Sequence, residues 1–194
     1  MPSNRSVKQG LALIESDPSK VLGLVVGKHE PKPGAFIPKA GNLPRNITRK
    51  QAVKADKNSD AQSPPELTFQ VPDASNTYMV VALDIDAPFA SFDVLGPILH
   101  WIQPGLRSTA GSLALKATEP FVANYIGPAP PPGSGPHRYV FFLYEQPVGF
   151  EGKKYAPSNG ENLSNWNRMR YSLDAWETEV RLGPVMAVNY FKSN

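Results

Sequence analysis

Two stretches of this 194-residue chain are apolar at both strand parities: TYMVVALD at 77–84 and HRYVFFLYEQ at 137–146. Side chains alternate between the two faces of a strand. A strand apolar on both faces must therefore be covered on both, so these two are predicted to be central strands of a sheet packed above and below. Shorter β-type runs surround them: VLGLVV at 21–26, ELTFQV at 66–71, PILHWIQ at 97–103, FVANYI at 121–126 and PVMAVNYF at 184–191. Turn signals separate them at 73–76, at Pro104-Gly105 and along GPAPPPGSGP at 127–136. Two or three short helices are predicted, two of them from clear signals. Val7, Leu11 and Ile14 make an apolar stripe over 6–16, stopped by Asp17-Pro18. Ser172 caps a second helix through Leu173, Trp176 and Val180, with Gly183 and Pro184 ending it. An all-helical bundle is disfavoured by the 21 prolines, since each interior proline costs a helix about 3 kcal/mol. The expectation is one mainly β, sandwich-like domain over 1–194, with short peripheral helices and neither internal repeats nor βαβ alternation.

Cysteine is absent. That removes disulfide scaffolds, thiolate metal sites and cysteine nucleophiles. No apolar run approaches the roughly 20 residues of a membrane-spanning helix. The N-terminus lacks the apolar core of a secretory signal, so the cytosol is the expected compartment. A net charge of +3 gives no argument for nucleic acid as a partner. The charge is uneven, however: residues 28–57 hold eight lysines and arginines against two acids. This basic, proline-rich stretch, 28–64, reads as a loop-dominated segment within the domain. Its sharper reading is a patch facing an anionic membrane or an acidic partner.

Chemistry concentrates in two places. Asp84 and Asp86, in DIDAP, end a strand that is otherwise apolar. A buried carboxylate is costly unless it is paired. The i, i+2 spacing predicts both on one side of the strand, either bonding local turn amides or orienting a histidine. The second place is the turn 127–136. Its glycines admit a close ligand, its prolines stiffen it, and His137 and Tyr139 leave it on one face of the next strand. That combination suits a phosphate or carboxylate. Three other readings compete. A serine hydrolase using Ser134 and His137 lacks the G-x-S-x-G elbow, since prolines 132 and 136 flank the serine. A metal site from Asp84, His100 and His137 lacks any tight ligand motif. The P-x-x-P at 128–131 is common by chance.

The succession Asp84-Ile85-Asp86-Ala87-Pro88, His100-Trp101, the segment 125–139 and Leu143-Tyr144-Glu145-Gln146 resembles the phosphatidylethanolamine-binding protein family. Arg168-Met169-Arg170-Tyr171 resembles that family's basic-x-basic-aromatic segment. The resemblance implies a large antiparallel sheet packed with a smaller one, and a small anion pocket at one end of the sheet. It places Asp84 and His100 on one side of the pocket, His137 and Tyr139 on the other, and Pro88, Ile126 and Pro131 in its apolar walls. Both histidines would donate to a phosphate, and Asp86 would brace the loop. Two departures bear on the pocket: Ile85 replaces a proline, and Ala129 stands where many members have glycine.

The resemblance further implies a non-enzymatic regulatory protein without a cofactor. Its partners would be phospholipid headgroups, met through peripheral membrane contact, or phosphorylated or acidic proteins. The alternative is an inhibitor of a serine carboxypeptidase or of a kinase.

Overall fold

The computed structural model describes residues 5–38, 60–89, 95–109 and 111–194. Helix α1 (Arg5–Ser16) is followed by strands β1 (Gly23–Val25), β2 (Ala35–Phe36), β3 (Glu66–Thr68), β4 (Tyr78–Asp84), β5 (Ile98–Ser108), β6 (Ala114–Ala117) and β7 (His137–Glu145). Helix α2 (Leu173–Val180) and strand β8 (Ala187–Ser193) close the chain. The mainly β architecture with short helices is the one the sequence predicts. The two expected sheets are joined in one ladder of eight strands, ordered β1-β3-β6-β5-β4-β7-β8-β2. The join is made by β5: its residues 98–106 pair with β4, and its last three, Leu106–Ser108, pair with β6. Among the described strands only the short β2 runs parallel to its neighbour, β8.

This curl explains the doubly apolar strands. On one face Val80, Ala82, Phe141 and Leu143 pack with Leu24, Leu67 and Leu115, so β1, β3 and β6 fold back over β4 and β7. On the other face Met79, Val81, Phe142 and Val188 pack with Val7 and Ile14 of α1 and with Leu173, Trp176 and Val180 of α2. All seven residues of β4 are buried in consequence. Burying each large apolar side chain contributes about 1.5–3 kcal/mol, so this double covering supplies much of the driving force.

Several boundaries differ from expectation. Pro104-Gly105 is not a turn but lies inside β5 as a bulge, where the register to β4 slips between Tyr78↔Leu106 and Val80↔Gln103. Gly105 adopts φ +68°, and its amide donates to Gln146 Oε1 at 2.7 Å. Side-chain and loop partners thus satisfy the backbone that the bulge leaves unpaired. The stretch 121–126 is not a strand. It makes one isolated bridge to the sheet, Ala123 opposite Ile102, and its Val122 and Ile126 amides donate to the Ile102 and His100 carbonyls. β6 goes unnoticed in the sequence because Ala-Leu-Lys-Ala has weak β preference. α2 ends earlier than predicted, at Arg181 in the left-handed region (φ 58°), two residues before Gly183. Most of the basic stretch, 39–59, lies outside the described residues.

Gly10 lets α1 approach the sheet. A Cβ there would stand 2.8 Å from Phe142 Cε1 and 3.2 Å from Val188 Cγ2. Alanine favours a helix interior by about 1 kcal/mol over glycine, whereas overpacking a rigid core costs about 1–3 kcal/mol. Gly10→Ala is expected to lower the melting temperature despite its better helix propensity. A raised melting temperature would show that α1 is not held at this distance.

Candidate functional site

The site grows from the end of β4. Asp84 is its last residue and is 4% exposed. Its Oδ2 accepts from His137 Nδ1 at 2.8 Å, and its Oδ1 accepts from the Asp86 amide at 2.9 Å. His137 opens β7 and is fully buried. Burial alone would lower an imidazole pKa. The hydrogen bond and the charge of Asp84 outweigh it and hold His137 above the usual histidine value, helped by Asp86 and the Pro88 carbonyl. Because a carboxylate only accepts, Nδ1 carries the proton. Nε2, on the far side of the ring, is buried and meets no partner with hydrogen-bonding geometry, although the Pro88 carbonyl is close enough to act on the ring's charge.

Asp86 does something else. The chain leaves the strand after Asp84, so the predicted one-sided placement of the two carboxylates fails. Asp86 turns to the neighbouring residue of β7: Oδ2 accepts from the Arg138 amide and from Nε, each at 2.8 Å, and Oδ1 accepts from Nη2 at 2.6 Å. Its burial would raise the carboxyl pKa, yet the Arg138 bonds prevail and hold it below the usual range. Asp86 thus braces the loop to β7, the role the resemblance implies.

His100 arrives by a second bulge. Leu83 faces Leu99 and Ala82 faces Trp101, so His100 is the extra residue between them. Strict alternation from Leu99 and Ile102 would leave its direction undetermined. The bulge turns it onto Tyr139, ring centroids 5.0 Å apart and edge-on at 79°. Its Nδ1 lies 2.7 Å from the Ile126 carbonyl, which can only accept, so Nδ1 donates and a neutral ring offers Nε2 as an acceptor. Burial lowers the His100 pKa, against the opposing pull of Asp84. Tyr139 is 2% exposed and stacks on Phe191 at 5.5 Å. Its hydroxyl lies beside Asp84 and the Ala129 backbone but meets no partner with hydrogen-bonding geometry. Burial raises its pKa far out of the physiological range.

The structure therefore brings together Asp84, His100, His137 and Tyr139. Of the predicted apolar walls, Pro88 and Ile126 are half-buried and Pro131 is exposed on the turn. The base of that turn is anchored: Gln62 Nε2 donates to the Pro128 carbonyl at 3.0 Å and Tyr125 Oη to the Ala61 carbonyl at 2.9 Å. Gly127 permits this close packing, since a Cβ there would stand 2.5 Å from Gln62 Oε1. The Ser134 hydroxyl donates to the Pro131 carbonyl at 2.8 Å, with the Gly135 carbonyl at 3.2 Å, and makes no bond to His137. Among the described residues no group of three or more His, Asp or Glu side chains has metal-holding geometry.

Arg168 supports the site from behind and has no carboxylate partner among the described residues. It is 1% exposed. Nε donates to the Leu163 carbonyl at 3.1 Å, Nη1 to the Leu99 and Asn124 carbonyls at 3.2 and 3.1 Å, and Nη2 to Asn124 Oδ1 at 2.5 Å. It clamps the non-strand segment 121–126 against β5, next to the Ile126 carbonyl that holds His100. Composition and periodicity did not single it out; the basic-x-basic-aromatic segment was its one signal.

Two measurements check these assignments. Imidazole titration by NMR should place His137 above and His100 below the ordinary value of about 6.5, and Asp84→Asn should bring His137 down. The linked stabilities have opposite signs. The His137 contribution is present below the unfolded pKa and lost as pH rises through the raised folded one. His100 costs stability as pH falls below its unfolded value. Equal titration of both rings would contradict the geometry. Arg168→Leu, which strands several buried carbonyls, is expected to destabilise by about 3 kcal/mol or more; chemical denaturation reads this directly, and a loss below 1 kcal/mol would deny the clamp.

Comparison with known proteins agrees with this fold. The profile of the phosphatidylethanolamine-binding protein family matches residues 30–190. Carboxypeptidase Y inhibitor of Saccharomyces cerevisiae is 29% identical over 143 residues, covering 67% of this chain and 65% of that protein. The chain thus spans somewhat less than two thirds of that relative's length. The crystal structure of carboxypeptidase Y inhibitor complexed with its cognate proteinase superposes with a TM-score of 0.68 at 25% identity, covering 97% of this chain and 93% of that one. A phosphatidylethanolamine-binding protein from Plasmodium vivax shares the fold at 14% identity, with a TM-score of 0.61 over 100% of this chain and 97% of that one. With the family profile covering most of its length, and with two relatives of this fold aligned nearly end to end, the chain belongs to the phosphatidylethanolamine-binding protein family.

Proposed function

We propose that this chain is a non-enzymatic binding protein whose cluster at the junction of β4 and β7 takes a phosphate-bearing group, with the phosphoethanolamine headgroup as the type ligand. One observation carries the reading. Two polar atoms of neighbouring side chains, His137 Nε2 and Tyr139 Oη, are buried without partners. Native proteins rarely leave such groups unsatisfied, and each costs about 1–3 kcal/mol. A phosphate oxygen accepting from both would remove that cost. Asp84 fixes the tautomer and favours the protonated ring, so His137 is the donor. His100, neutral and committed to Ile126 through Nδ1, offers a lone pair instead, suited to the ligand's ammonium. The two histidines, expected to act alike, thus take complementary roles.

The cluster is covered in this structure, with His100 at 6% and His137 at 0% exposure. Entry requires the turn beyond its anchored base to open. That part is exposed and holds Gly133 and Gly135, both at positive φ. Free headgroups bind weakly on this account. Three or four charge-assisted bonds of roughly 1.5–3 kcal/mol each stand against association costs of about 4–15 kcal/mol. Membrane-borne or protein-borne phosphate is the better ligand, since the rest of the partner adds contact.

Titration with O-phosphorylethanolamine should shift the His137 and Tyr139 resonances. Affinity should be full below the raised His137 pKa and fall as pH rises through it. His137→Gln should weaken binding by roughly tenfold to a hundredfold. Unmoved resonances at tens of millimolar ligand would dismiss the proposal.

A second reading rests on the carboxypeptidase Y inhibitor relationship, which is the one aligned over 97% of this chain at 25% identity: the chain inhibits a serine carboxypeptidase. Stoichiometric inhibition of carboxypeptidase Y, retained in His137→Gln, would place that activity outside the buried cluster. Full enzyme activity at a large molar excess of this protein would set the reading aside for that enzyme.

A further inference from the structure

The long connection from β7 to α2 passes through a tight turn at 158–161. Asn159 (φ 60°, ψ 19°) and Gly160 (φ 70°) both take the left-handed conformation. Two consecutive residues of this kind are the pattern of a type I′ turn, for which Asn-Gly is a preferred pair. One long hydrogen bond closes the turn, from the Glu161 amide to the Ser158 carbonyl at 3.3 Å. All four residues are exposed. The Asn159 carboxamide makes no hydrogen bond among the described residues. Nothing stands within 4 Å of the position a Cβ would take on Gly160.

We propose that Asn159 is a site of spontaneous covalent modification, its carboxamide converting to aspartate and isoaspartate through a cyclic imide closed by the Gly160 amide. The Gly160 nitrogen attacks Asn159 Cγ. A bond from that nitrogen to Cγ forms and the Cγ–Nδ2 bond breaks. Nδ2 leaves as ammonia, with the proton that the Gly160 nitrogen gives up. Water then opens the imide: addition at Cγ gives aspartate, and addition at the backbone carbonyl carbon gives isoaspartate. Closing the imide requires Asn159 to rotate out of the left-handed conformation. An exposed segment held by one weak bond opens locally at little cost. The property that suits Gly160 to the turn also admits the chemistry. Without a side chain it accepts positive φ and leaves its amide open to close approach.

No other asparagine of the chain precedes a glycine. Asn124 Oδ1 is held by the Leu163 amide and Arg168, and Asn189 Nδ2 by the Leu22 and Pro31 carbonyls. Asn162, Asn165 and Asn167 are exposed, but bulky residues follow them: Leu163, Trp166 and Arg168. The turn forms part of the rim of a cleft of about 590 Å³ shared with Phe121, Phe150 and Lys153. Each conversion therefore places a new negative charge at that cleft. Neither the turn nor its chemistry depends on the His137 cluster.

The test is incubation of the folded full chain at mildly alkaline pH, followed by tryptic digestion at mildly acidic pH and mass spectrometry. The tryptic peptide 155–168 holds Asn159 together with Asn162, Asn165 and Asn167 as internal references. Asn159 is expected to convert at least about tenfold faster than each of the three. It should yield two products of equal mass and different retention, aspartyl and isoaspartyl. Conversion should slow at acidic pH, because the attacking amide must lose its proton. Gly160→Asn keeps a residue that tolerates positive φ and puts a side chain beside the attacking nitrogen. This variant is expected to keep its melting temperature and to convert at residue 159 about tenfold more slowly. Even conversion over the four asparagines, an aspartyl product alone, or an unchanged rate in Gly160→Asn would each overturn the proposal. So would an Asn159 that stays intact in the folded chain while the urea-unfolded chain converts.

Discussion

A carboxylate ends the most buried strand of this protein, and the rest of the site follows from how it is satisfied. Asp84 at 4% exposure would be costly alone, since unpaired buried charge is among the largest penalties a fold can carry. It is instead bonded on both oxygens, to His137 and to the Asp86 amide. The pair ties the end of β4 to the start of β7 across 53 positions of sequence. It also decides the chemistry. By taking Nδ1, Asp84 commits the imidazole to one tautomer and leaves Nε2 buried and unpaired; the Tyr139 hydroxyl, which also lies near Asp84, is likewise without a partner. The adjacent Asp86–Arg138 fork holds the same two segments in register, so the imidazole has little freedom to turn away.

Around that pair the sheet is bent to suit. β5 carries two bulges. The one at His100 adds the imidazole to the Tyr139 face, and the one near Gly105 lets the strand pass a proline and reach β6. Between them, β5 joins the strands that line the site to the strands that cover it. Arg168 completes the support. A guanidinium buried against carbonyls and an asparagine side chain has, among the described residues, no ion pair to repay its desolvation, and burial lowers its pKa accordingly. What it provides is geometry: a segment that is not a strand is held where one might have been, with the Ile126 carbonyl facing His100.

The central strands were legible because apolar residues at both parities admit one interpretation, a strand covered on both sides. The approach of Asp84 to His137 was legible in outline for a similar reason, since a charge at the end of such a strand must find a partner. The bulges were not. Pro104-Gly105 has the composition of a turn, and only the pairing of β4 and β6 on either side shows that the strand continues through it. The direction of His100 depends on one unpaired residue that alternation does not reveal. The end of α2 at Arg181 was hidden because arginine rarely takes the left-handed conformation, while Gly183 nearby takes it readily. The division of roles between the histidines was invisible, since it depends on which acceptor each Nδ1 meets.

The site residues that the resemblance implies and the ligand reading proposed above meet at the same four side chains but rest on different grounds. The profile match establishes family membership; the unpartnered Nε2 and hydroxyl carry the proposed ligand. The most direct test is a crystal structure grown with O-phosphorylethanolamine. The account predicts phosphate density within hydrogen-bonding distance of both His137 Nε2 and Tyr139 Oη, with the turn after Pro128 displaced. Well-ordered crystals at saturating ligand that show the same closed, unliganded cluster would contradict it.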